Sequence, residues 1–166
     1  MSNVDFLADF RDDIAQQLSN LGHPITREED LDTILIRYLN LVHRMPPTIS
    51  WTVKQSKELK RERLSKEIYH GLQQFIRKAK SGKDLKPYLS LKINNPDYKD
   101  FMFYDWGFFH FHLGISPHAK QHGFISRTNE VLFAIANSET ATMYLIDIQC
   151  TQGRLYESRS VEDYRK

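Results

Sequence analysis

The spacing of apolar residues changes once along this chain, and that change limits what it can fold into. Up to Ala79 the apolar residues recur every three or four positions, and beyond Ser81-Gly82 they begin to alternate. The first period marks one face of a helix, the second a strand with one side toward a core. The chain therefore reads as an α+β fold, helical first and then a small antiparallel sheet.

Phe6, Leu7, Phe10, Ile14, Leu18 and Leu21 predict a helix over 5–21, broken at Gly22-His23-Pro24. Thr26 with Glu29 has the capping-box pattern for a second helix, whose stripe is Leu31, Ile34, Leu35, Tyr38, Leu39 and Val42. Pro46-Pro47 stops it, since proline lacks a backbone donor and disfavours helix before it. Residues 1–47 thus form a helical hairpin or arm, and 48–166 a helix-plus-sheet domain, the two making one compact unit. A long third helix is expected over 51–79, with Leu59, Leu64, Ile68, Leu72, Phe75, Ile76 and Ala79 inward. Strands follow over 101–113, 130–136 and 140–148, and Leu155, Tyr156, Val161 and Tyr164 could add a last short element.

Charge is segregated. Between Lys54 and Lys83 stand ten Lys or Arg against three Glu, a balance of +7, so with a net charge of +2 the remainder carries −5. A basic element on an otherwise acidic chain steers anionic partners. The single Cys150 excludes an internal disulfide framework, and no apolar run approaches the ~18 residues of a membrane span. The first ten residues hold two Asp and no basic residue, unlike a signal peptide, so a cytoplasmic location is expected, away from membranes. No phosphate loop, dinucleotide fingerprint, zinc-finger spacing or nucleophile elbow is present.

The stretch Tyr104-Asp105-Trp106-Gly107-Phe108-Phe109-His110-Phe111-His112-Leu113-Gly114 carries the chemistry. As a strand it puts Phe109, Phe111 and Leu113 on the core side, with Trp106, Phe108, His110 and His112 on the other. Two histidines at i and i+2 then stand about 6 to 7 Å apart. One use of them is metal chelation, with Asp105, His118, His122 or Asp147 as further ligands. Another is proton transfer during RNA cleavage at a 2′-hydroxyl, which needs a base, an acid and a cation but no metal or cofactor. The histidines also fit a purely structural role within the sheet.

The helix ending near Ala79, the link 80–86 and the strands that follow resemble the RelE/ParE-type toxin fold, over roughly 75–156. His110 and His112 fall where that family has alternating basic residues before a glycine. Tyr144 and Arg154 to Tyr156 fall near its later functional region. Departures are histidine in place of arginine, Glu130 at the start of the second strand, Asp147 on the last, and a long loop over 115–129. The resemblance implies a toxin-type endoribonuclease and an acidic antitoxin as partner. On this leading reading His110 and His112 are the acid–base pair. Arg127 with Lys78, Lys80 or Lys83 holds phosphate, Tyr144 orients substrate, and Trp106 and Phe108 stack a base. The alternatives are a non-enzymatic module that binds nucleic acid or protein, and a small metal-dependent hydrolase or nuclease using His110, His112 and one of His118 or His122. A homo-oligomer is compatible with each.

Overall fold

The computed structural model describes residues 5–26 and 28–150; the tail over 151–166, including its apolar residues and Arg154 to Tyr156, lies outside them. It has an N-terminal helical pair and, further on, a long helix packed against a small sheet, and so is α+β. The chain divides into two compact units, 1–45 with 91–100, and 46–90 with 101–166.

In the first unit, α1 (Phe6–Asn20) and α2 (Leu31–Val42) bury Ile14, Leu18, Ile34 and Leu41 against one another. Asp5 caps α1 by accepting from the Ala8 amide. The cap of α2 is Asp30, which accepts from Thr33, and not Thr26 as the capping-box spacing suggests. Glu29 does reach back to the Thr26 amide, but it also ion-pairs with Arg37, and the helix opens only after Asp30. Arg44 is 3% exposed. Its guanidinium donates to the carbonyls of Asn40, Lys92 and Asn95, tying the segment 91–100 to the end of α2. Hydrogen bonds from a charged donor are worth about 1.5–3 kcal/mol each, enough to hold a buried cation.

The second unit departs from the expected single helix over 51–79. That span divides into β1 (Thr52–Gln55), α3 (Lys57–Arg61) and α4 (Lys66–Lys80). Thr52 and Val53 are β-branched, and Thr52 donates to the Ala141 carbonyl at 2.7 Å. Ser56 and Ser65 then each cap a new helix, accepting from Leu59 and Ile68.

The expected strand over 101–113 is also shorter. Its first part is the helix α5 (Phe101–Trp106), closed by Gly107 at φ +70°, and only Phe109–His112 forms β2. With β3 (Glu130–Asn137) and β4 (Thr142–Cys150) the sheet order is β1-β4-β3-β2. The pairs β2/β3 and β3/β4 are antiparallel, whereas β1 runs parallel to β4.

One sheet face is the core. Phe109 and Phe111, Leu132 and Ala134, Leu145 and Ile148 are all buried there. Helix α4 covers it, with the Phe75 ring 4.6 Å from that of Phe111. Gly71 lets the helix in, because a Cβ at that position would lie 1.8 Å from the Leu113 carbonyl oxygen.

Candidate functional site

The other face of the sheet carries the residues singled out by the sequence, and the register sorts them into three rungs. His112 stands beside Val131 and then Gln149. His110 stands beside Phe133 and then Asp147. Ile135 stands beside Tyr144 and then Lys54. Between the second and third rungs the register slips by one, leaving Ile146 of β4 as an extra residue. Such a bulge sharpens the local twist.

His110 and His112 occupy the edge strand, half-buried, while Phe109 and Phe111 on either side face inward. The His110 ring meets Phe133 edge-on at 4.8 Å. Phe108 meets the same Phe133 ring edge-on at 6.3 Å. The Nδ1 of His112 lies 3.1 Å from the Thr128 carbonyl oxygen and 3.3 Å from the Thr128 amide nitrogen. Burial first, and then the positive charge of Arg127, push the His112 pKa down to about 4. At neutral pH this ring is uncharged and can only accept a proton. A proton on Nδ1 would bond the Thr128 carbonyl and leave Nε2 as the basic nitrogen.

Arg127 reaches inward. One of its terminal nitrogens donates to the Leu89 carbonyl, and its guanidinium sits 5.1 Å from the Phe124 ring centre. Its Nε and Nη2 are buried and have no hydrogen-bond partner among the described residues. Burial lowers the Arg127 pKa as well.

At the far end of the face Tyr144 is 40% exposed, with the Lys54 ammonium 5.4 Å from its ring centre. Ile135 beside it is 37% exposed. Asp147 accepts from the Ile148 amide and from Gln149, and it meets a second carboxyl. That carboxyl belongs to Glu62, whose pKa is raised by burial and by the charge and hydrogen bond of Asp147. The pair adjoins a cleft of about 310 Å³ where Arg63, Ser65, Glu130 and Cys150 also line the wall.

The fold brings His110, His112, Phe108, Tyr144 and Asp147 to one face, with Arg127 next to His112. It does not bring the rest there. Trp106 and Asp105 belong to α5, where Trp106 is 56% exposed. Lys78 leans on the Tyr88 ring at 5.2 Å, and Lys80 and Lys83 are exposed at the end of α4, which covers the opposite, core face. His118 accepts from the amides of Lys120 and Gln121 through Nδ1, fastening its own turn, and His122 is exposed in the same loop. Among the described residues no group of three His, Cys, Asp or Glu is placed to hold a metal ion.

Phe133, Lys54 and Glu62 were not singled out by the sequence. Alternation within 130–136 carries a signal for Phe133. Lys54 and Glu62 have none, because β1 and the α3–α4 link look like helix.

Comparison with protein-family models, with curated proteins and with solved structures finds no match. Among the described residues no helix is long and apolar enough to cross a membrane.

Proposed function

We propose that this protein binds single-stranded RNA across the outer face of its sheet. The observation that carries the reading is the pairing of outer-face rings with cationic or imidazole groups, exposed Tyr144 under Lys54 and half-buried Phe133 against His110. Unpaired bases stack on such rings, and cations beside them meet the phosphates. Next to Lys54, α3 adds exposed Lys57, Lys60 and Arg61 where it packs on β4. Among the described residues none of these four forms an ion pair.

Fluorescence anisotropy of a labelled ten-nucleotide RNA tests it, with DNA of the same sequence alongside. Tyr144→Ala is expected to weaken binding about 5- to 150-fold, the loss of one stacked base at about 1–3 kcal/mol. Lys54→Gln should flatten the log–log salt dependence by about 0.7. Wild-type protein that fails to bind at micromolar concentration, or binding untouched by Tyr144→Ala, would refute it.

A second reading, cleavage of the bound strand, is favoured by His110 and His112 sharing this face, and it is what the RelE/ParE resemblance implies. Neutral His112 would accept the 2′-hydroxyl proton as that oxygen attacks phosphorus. His110 would be the proton donor to the departing 5′-oxygen, leaving a 2′,3′-cyclic phosphate. A denaturing gel of incubations at saturating protein should show fragments with that end, abolished by His110→Ala. Intact RNA after long incubation would leave binding alone as the function.

A further inference from the structure

The other side of the domain carries a feature that the sheet face does not use. Along α4, Lys66, His70, Gln73, Arg77 and Lys80 are spaced four, three, four and three residues apart, which places them on a single ridge. Lys66, His70, Arg77 and Lys80 are exposed and Gln73 is half-buried. Every side chain on the ridge can donate hydrogen bonds, and none is acidic. Glu67, the acidic residue of this helix, points about 100° away around its axis. Asp84, just past the end, is engaged with the Lys86 amide. Among the described residues Lys66, Arg77 and Lys80 form no ion pair. Alternating signs along a helix face mark a solvated, salt-bridged helix, and this ridge carries one sign only.

The ridge is also firmly backed. The inward side of α4 is fixed by Phe75 on Phe111 and by the Gly71 contact with Leu113. From Lys66 to Lys80 it spans about 21 Å, at 1.5 Å per residue. That is about six base pairs of a DNA duplex at 3.4 Å each.

We propose that this ridge is a second nucleic-acid contact, a track for the phosphodiester backbone of a duplex. It is separate from base stacking on the outer sheet face and does not depend on it. Because the ridge meets the backbone with donors and positive charge, the contact is insensitive to sequence. Phosphate neutralisation supplies its affinity.

The test is binding of a labelled 20-base-pair DNA duplex, with an RNA duplex of the same sequence alongside, to the full chain between 50 and 200 mM salt. Wild type, K66Q/R77Q/K80Q and Y144A are compared, with circular dichroism confirming the fold of each. Removing three phosphate contacts should reduce the log–log salt slope by about 2.7, so the triple variant's affinity falls about 40-fold less than wild type's over this range. Y144A should bind duplex as wild type does, even if it loses single strands. If the triple variant does not fold, K66Q, R77Q and K80Q made singly should each reduce the slope by about 0.9. An unchanged slope overturns the proposal, and so does a wild type that ignores duplex at 50 mM salt. Equal loss of duplex and single strand in Y144A would also overturn it, since one surface would then serve both. A further contrary result is a wild-type dimer that the triple variant dissociates with duplex affinity intact, which would assign the ridge to an acidic protein surface. Loss of single-strand binding without effect on duplex separates this proposal from the sheet-face reading.

Discussion

His112 is held by one residue, Thr128, whose carbonyl oxygen and amide nitrogen lie 3.1 and 3.3 Å from the same imidazole nitrogen. The folded protein protonates this ring only near pH 4, whereas an unfolded chain does so near 6.5. Its contribution to stability is therefore complete above about pH 6.5 and is lost as the pH falls toward 4. The loss is on the order of 2 kcal/mol once solvent screening is discounted. Urea unfolding of wild type and His112→Gln at pH 7.5 and 4.5 should show a smaller pH dependence in the variant. Parallel pH profiles would mean that His112 titrates normally in the fold.

Gly71 admits no side chain. Gly71→Ala would put a methyl 1.8 Å from the Leu113 carbonyl oxygen, so α4 or the end of β2 must move. A loss of about 1–3 kcal/mol is expected from such overpacking, measured by the denaturant midpoint. Because Leu113 follows His112, RNA affinity should fall with it. A variant as stable as wild type would show that the helix can slide without cost.

His118 is a turn residue by its contacts, accepting two backbone amides through Nδ1. His118→Ala should cost about 1–2 kcal/mol by leaving both donors without that acceptor. An asparagine side chain carries an oxygen able to take the same role, so His118→Asn is expected to recover most of the loss. Neither change should alter RNA binding, and a tenfold fall in affinity with His118→Asn would instead place this ring in the interface.

Glu62 and Asp147 make an opposite pH signature. The raised Glu62 pKa means that the fold favours the protonated carboxyl, a contribution present at acid pH and lost as the pH rises through the folded value. Glu62→Gln keeps a donor toward Asp147 without the ionisable group. Its melting temperature should exceed that of wild type at pH 7 and match it near pH 4. A lower melting temperature at pH 7 would mean that the fold does not disfavour the charged Glu62 carboxylate.

The legible parts of this fold are those where pattern and partner are close in sequence. Strands β3 and β4 are joined by a short turn, and the inward setting of Phe109, Phe111 and Leu113 follows from alternation alone. Strand β1 was not legible, because Thr52 to Gln55 is four residues long and pairs with Thr142 to Leu145, far along the chain. The aromatics Phe101, Phe103, Tyr104 and Trp106 favour strands, yet Gly107 turns their segment out of the sheet and closes it as a helix. At the site, the shared face of His110 and His112 was readable. The rungs that join them to Phe133 and Tyr144 required the register, including a bulge that no sequence pattern announces. The phosphate-holding role expected of Lys78, Lys80 and Lys83 rested on their place at the end of the basic helix, and α4 lies on the other layer from the histidines.

The parallel pairing of β1 with β4 has a consequence for the order in which this domain assembles. Ser56 donates its hydroxyl to the Ile146 carbonyl across 90 residues of chain, and the Ser56 amide meets Leu145. Contacts of such separation form late, after nearby hairpins have shortened the loop to be closed. On a ribosome, α4 emerges well before β4 does, with Phe75 and Leu72 still lacking their sheet. In pulsed hydrogen exchange during refolding, the amides of β3 and β4 are expected to gain protection first, and those of Thr52 and Ser56 last.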